Sequence, residues 1–363
     1  MQLPYSDEIS IEYLSRLFDN KSECYKLFWF QAIVNKVIAG KDILTFDELI
    51  NEMIADSWYM VTEYKLNLGP KDNLEILVQY IYDVEQGRLK KNEKKASILS
   101  YLEQCQDKYV AEIKRKLKDN VPYRLQAPFF EHIKGKEWHV SERSIIEKIN
   151  REKRLMYYFS ELSGLRTKIY VQPEWCSYII RNQEILKGWI QYNMIMYLQR
   201  RNPNVPGIVD KLNPPQERRL TKVIKYWKTV MNVMPVYDIY GKQLLTEDDI
   251  SIDHFIPWSY VAHDEFWNLS PTTRSINSMK SNGIPKWDRY FKELSKLEYQ
   301  AFMMMWDKDE FKQCKKGHIN SDDVSTKLYR EGIAEQEFCM MLENILLPVY
   351  KSAENVGFKT WEL

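Results

Sequence analysis

Apolar residues return every three or four positions through most of the chain, which lays them along one stripe of a helix. Leu14, Leu17 and Phe18, then Leu27, Phe28, Phe30, Ile33, Val34 and Val37, carry this pattern from Ser10 to about Ala39. The polar run Asp19-Asn20-Lys21-Ser22 divides it into two helices, with Ser22 suited to an N-cap. A further helix is expected after Thr45, because Glu48 three residues on completes a capping box. Helices are also predicted over Asp72 to Tyr82 and over Ser97 to Leu117. Between Val121 and Pro173 the pattern changes, punctuated by Pro122, Pro128, Gly135 and Gly164. There Trp138-His139-Val140 and Lys168 to Val171 read as short strands around a polar helix from Ser141 to Arg154. The apolar run from Pro173 to Gln199 predicts a buried helix pair, ended by the turn-rich residues 200–207. Helices return over Glu217 to Met231, Trp287 to Trp306 and Glu335 to Tyr350, the last two joined by a polar link.

One stretch leaves the helical period. Tyr237 to Leu244 and Ile250 to Ile256 alternate apolar and polar positions, which predicts two strands across an acidic connection, with Gly241 as a turn. From Thr272 to Asn282 the residues become polar, and Gly283 and Pro285 stop what reads as a short helix. Two strands and a helix would gather Asp253, His254 and Asn277 at one spot, enough for a metal ion and a base.

The ordered set Asp253-His254, Pro257, Asn268-Leu269, Asn277 and Lys280 resembles the HNH, or ββα-metal, nucleases. With Asn268 and Asn277 nine positions apart, the spacing is similar to the HNH domain of RNA-guided CRISPR nucleases. The resemblance covers only residues 235–285. Many such nucleases hold a structural zinc with CxxC pairs. Here the matching place reads Asp238-Ile239-Tyr240-Gly241, so no structural zinc is expected.

The resemblance implies an endonuclease that hydrolyses phosphodiester bonds in DNA. A neutral imidazole, with a reference pKa near 6.5, can take a proton from water at physiological pH, and His254 is the residue for that role. Asp253 and the amide oxygen of Asn277 would hold one ion per site, and oxygen donors suit Mg²⁺ or Mn²⁺. Asn268 would inherit the family's orienting role, while Lys280 and Arg274 would meet phosphate. His263 is read as a loop-packing residue.

Lys and Arg total 52 against 51 Asp and Glu, so any hold on a polyanion must come from a local patch. The best candidate is a stripe on the predicted helix before the motif: Arg218, Lys222, Lys225 and Lys228 recur at spacings of three and four. Phosphate binding and a merely solvated face both stay open for it. Cys24, Cys105, Cys176, Cys314 and Cys339 are scattered and odd in number, which fits buried thiols in a reducing cytoplasm. No apolar run reaches membrane-spanning length.

The expectation is therefore a mainly α, cytoplasmic protein with an inserted ββα-metal module. Its parts would be a helical region 1–120, a mostly helical region 121–234, the HNH module 235–290 and a helical region 291–363. DNA is the expected partner, and family analogy points to defence against foreign DNA. A regulatory or sensor protein and a homo-oligomer stay open as further partners, with no membrane. The alternatives are an RNA-directed or nicking subunit of a larger complex, and a catalytically silent HNH fold used for binding or assembly.

Overall fold

Thr45 caps a largely buried helix. Its Oγ1 accepts from the Glu48 amide at 3.1 Å, and its own amide donates to Glu48 Oε2 at 2.8 Å, closing the expected capping box. The helix that follows, Phe46–Thr62, packs between Tyr25–Ile38 and Asn73–Val84. The computed structural model describes residues 2–19, 23–85, 87–130, 132–133, 135–214 and 220–363. The cap expected at Ser22, the first residues of the helix expected from Glu217, and Arg218 lie outside the described residues.

The chain forms two compact units, Met1–Pro203 with Lys211–Pro214, and Asn204–Asp210 with Pro215–Leu363. Among the described residues both are mainly helical. The first also holds a small antiparallel sheet with Lys168–Val171 in the centre, between Ile43–Thr45 and Tyr157–Phe159. In the second, Thr221–Met231, Trp287–Met305, Asp309–His318 and Glu335–Asn355 are the principal helices. Their core is aromatic: Tyr226, Phe266, Phe302, Phe311, Tyr329 and Phe338 meet ring to ring.

Several expected elements take another form. Tyr237 to Leu244 is not a strand: its ends meet in a single Tyr237–Leu244 bridge, and the Asp238 amide donates to Gln243 O within a tight loop. The strand that pairs with Ile250–His254 is Leu269–Thr273, a run whose Pro271 argues against a strand in sequence. A proline is tolerated there because both strands of a two-stranded sheet are edges. Trp138 closes a 3₁₀ turn, Gly135–Trp138, instead of opening a strand, and Tyr157–Phe159 takes the pairing place beside Lys168–Val171. Ser97 to Leu117 is two helices, Lys95–Gln104 and Lys108–Leu117. Asp107 starts the second one by accepting from the Tyr109 and Val110 amides. The polar link after Trp306 carries the helices Asp309–His318 and Asp322–Lys327. Its charged faces hide a short apolar stripe, Phe311 and Cys314, that the core covers.

Glu298 lies within this core, 2% exposed, beside the phenols of Tyr226 and Tyr329. Burial pushes its carboxyl well above the ordinary glutamate range. In the unfolded chain it ionises near pH 4.3. Above that pH the folded state binds the extra proton, so stability is present at low pH and is lost as pH rises toward the folded value. Glu298→Gln removes this loss. The variant should therefore gain on the wild type as pH rises above the unfolded value, by up to about 1.4 kcal/mol per pH unit. Urea midpoints at several pH values check it, and a difference that does not change with pH refutes it.

Candidate active site

The second strand of the pair around Asp253 runs into the following helix with no connecting chain. Ile250–His254 pairs antiparallel with Leu269–Thr273, placing Asp253 opposite Ser270 and His254 opposite Leu269. Thr273 ends the second strand and caps the next helix, its Oγ1 accepting from the Ile276 amide at 3.2 Å. The chain therefore turns straight into Arg274–Lys280, which lies back across the hairpin. Asn277 and Lys280, three residues apart, share the helix face against the first strand.

The strand alternates its side chains, so Asp253 and His254 point to opposite sides. Asp253, 3% exposed, has both carboxylate oxygens engaged. Tyr240 Oη donates to Oδ2 at 2.6 Å and Lys280 Nζ to Oδ1 at 3.0 Å. The same ammonium donates to His254 O at 2.7 Å. Its side chain is fully buried, and burial pulls it below the ordinary lysine range against the opposing pull of Asp253. On the other side, His254 Nε2 lies 2.8 Å from Asp264 Oδ1, with the imidazole only 4% exposed. Asn277 donates its amide nitrogen to Ser251 Oγ at 2.8 Å and to Ile252 O at 3.1 Å.

Asn268 is completely buried. Its Oδ1 accepts from the Ile256 amide at 2.8 Å and its Nδ2 donates to Ile256 O at 2.9 Å. Its carbonyl accepts from the Phe255 amide at 2.9 Å. It clamps the backbone just after His254.

Lys280 departs from the expected phosphate contact: it is enclosed, and its charge is set against Asp253. Arg274 is exposed on the first turn of the helix. On Thr221–Met231, Val223, Tyr226, Trp227 and Val230 face inward, leaving the lysines outward. Lys225 pairs with Glu310 at 3.3 Å and Lys228 with Glu247 at 3.7 Å, while Lys222 is exposed. His263 stacks edge-on against Trp267.

The sequence reading missed Tyr240 and Asp264. Tyr240 lies in the segment compared with the zinc-binding CxxC. That segment is tied down by hydrogen bonds, from Thr272 Oγ1 to Asp238 Oδ1 at 2.6 Å and from Tyr240 to Asp253. Asp264 stood next to the histidine that drew attention, with no spacing signal of its own.

In type, the donors suit a small hard ion: a carboxylate and an amide whose nitrogen is already spent, which leaves its oxygen as the available donor. Among the described residues no three His, Cys, Asp or Glu side chains gather as a metal-binding group. Lys280 supplies the positive charge beside Asp253 in this structure.

Removing one partner of a buried ion pair leaves an uncompensated charge, which costs more than losing both. Lys280→Met should therefore destabilise the second unit by about 3–5 kcal/mol. Adding Asp253→Asn to it should recover part of the loss. Denaturant unfolding of the two variants checks this, and a single variant within about 1 kcal/mol of wild type would contradict the pair's structural weight.

Comparison with known families places this geometry. Residues 238–286 match a family model described as HNH endonuclease. No curated protein and no solved structure matches the chain. The match spans the Asp238–Tyr240 loop, both strands, the Arg274–Lys280 helix and Lys286. This chain carries an HNH endonuclease domain over residues 238–286.

Proposed function

We propose that the second unit hydrolyses phosphodiester bonds in DNA, with His254 as general base. The observation that carries this reading is the family match over a strand pair and helix that carry Asp253 and His254 at the strand end and bring Asn277 against the same strand. His254 sits on a rigid strand with Nε2 committed to Asp264, and a neutral ring protonated there carries its basic lone pair on Nδ1. Asp253 and Asn277 would hold Mg²⁺ or Mn²⁺, and the ion would supply positive charge to the phosphate. Asn268 holds the turn after His254, so the base cannot drift with its backbone. Arg274 and the lysines of Thr221–Met231 would meet the phosphate backbone.

Incubating supercoiled plasmid with the protein and Mg²⁺ tests this directly. Wild type should produce nicked circles, and His254→Ala should lose cleavage by about 100-fold or more while still binding DNA. His254→Ala within a few-fold of wild type would remove the assignment. A second reading, a catalytically silent HNH fold, is favoured by the occupation of both Asp253 oxygens by Tyr240 and Lys280. It predicts that wild type nicks nothing under the same conditions.

The basic stripe makes a separate prediction. Lys225 and Lys228 form exposed ion pairs, which are weak enough to yield to phosphate. Changing Lys222 and Lys225 to Glu should weaken binding to any DNA sequence and lower the salt slope by about one unit per lost phosphate contact. Fluorescence anisotropy with a short duplex at several salt concentrations measures both. An affinity and slope equal to wild type would take this helix out of the binding surface.

A further inference from the structure

We infer that Asp264 is a positioning residue for the base: it fixes His254 as the Nε2–H tautomer, so that Nδ1 is the atom that takes the proton. The inference rests on the nuclease reading of the site. A neutral imidazole carries its proton on one nitrogen only, and the group facing a ring nitrogen decides which. Asp264 Oδ1 faces Nε2 at 2.8 Å, and a carboxylate can only accept there. The ring is nearly enclosed, so this contact also sets its rotation.

The loop bearing Asp264 is itself held from the helices that follow the domain. His318 Nδ1 lies 3.0 Å from Asp264 O. The next residue, Glu265, accepts from the Asn320 amide at 3.1 Å, from Asn320 Nδ2 at 2.7 Å and from Trp267 Nε1 at 3.2 Å. The 3₁₀ turn Phe266–Asn268 then returns the chain to the strand, where Asn268 clamps Ile256. Asp264 is thus anchored at its own carbonyl and through the residue after it, and its position depends on residues 318–320, outside the matched segment. Part of the C-terminal helical region therefore holds the loop that orients the base.

Two readouts on the full chain test the inference. Long-range ¹H–¹⁵N spectra of protein labelled at its 5 histidines, with His254→Ala for assignment, report the tautomer without any turnover. At a pH where the ring is neutral, wild type should show His254 as Nε2–H. Asp264→Ala should show a mixture of tautomers, and Asp264→Asn, which keeps an accepting oxygen of the same size, should stay mostly Nε2–H. Single-turnover nicking of plasmid with Mg²⁺ should slow about 10–100-fold in Asp264→Ala at unchanged DNA affinity, and less in Asp264→Asn. A merely structural Asp264 would lower the melting temperature but leave tautomer and rate per folded molecule at wild-type values, and that result overturns the inference. So does a wild-type His254 that is mixed or Nδ1–H, a measurement that needs no variant to fold. A wild type with His254 fixed as Nε2–H that nicks no DNA overturns the catalytic half and the nuclease reading together. A nicking wild type with an equally active Asp264→Ala overturns the positioning role alone.

Discussion

The second unit is arranged around one buried charge, the Asp253 carboxylate at the end of Ile250–His254. Inside a protein, such a charge persists only if partners replace the water it loses. Tyr240 and Lys280 do this from opposite directions in sequence, 13 residues before and 27 after. Satisfying it therefore ties the loop ahead of the strand and the helix behind the hairpin to the same point. Lys280 adds a bond to His254 O, so the same ammonium also fixes the backbone of the next residue. The arrangement that could serve chemistry is thus also what closes the fold locally.

His254 lies on the other face and is governed by a different set of bonds. His254 reaches Asp264, and Asp264 belongs to a loop pinned by His318 and Asn320. Asn268 locks the turn between the two faces with a reciprocal pair of bonds to Ile256. The small module consequently does not stand alone: residues beyond it hold the loop that bears Asp264. That division would suit the general base proposed for His254, whose effectiveness would depend on where the accepting nitrogen sits.

Much of this was legible in the sequence. The Thr45–Glu48 capping box, the helix pair Pro173–Arg181 and Gln183–Arg201, and the helices beginning at Trp287 and Glu335 follow from periodicity and caps, which are local. The short helix of Asn277 was read from its stop signals, Gly283 and Pro285, and the Asp253-His254 pair from the ordered motif rather than from periodicity. The errors share a cause. Tyr237 to Leu244 alternates like a strand and Leu269–Thr273 contains a proline, yet the second one pairs, because a strand exists only through its partner. The Asp309–His318 helix was missed because only Phe311, Cys314 and His318 of its residues are buried, too thin a stripe to outweigh its charge.

By itself the sequence determined the chemical inventory: a carboxylate next to an imidazole, two asparagines and a lysine at fixed spacing, and no excess charge to advertise a polyanion partner. It also determined most helices, since their hydrogen bonds close within four residues. Only the tertiary structure decided how the inventory is connected. It set Lys280 on Asp253 instead of solvent, brought in Tyr240, and gave His254 a carboxylate partner in Asp264. Those choices join residues 10 to 27 positions apart, and nothing in a local pattern encodes which of many polar side chains will meet once the core has closed.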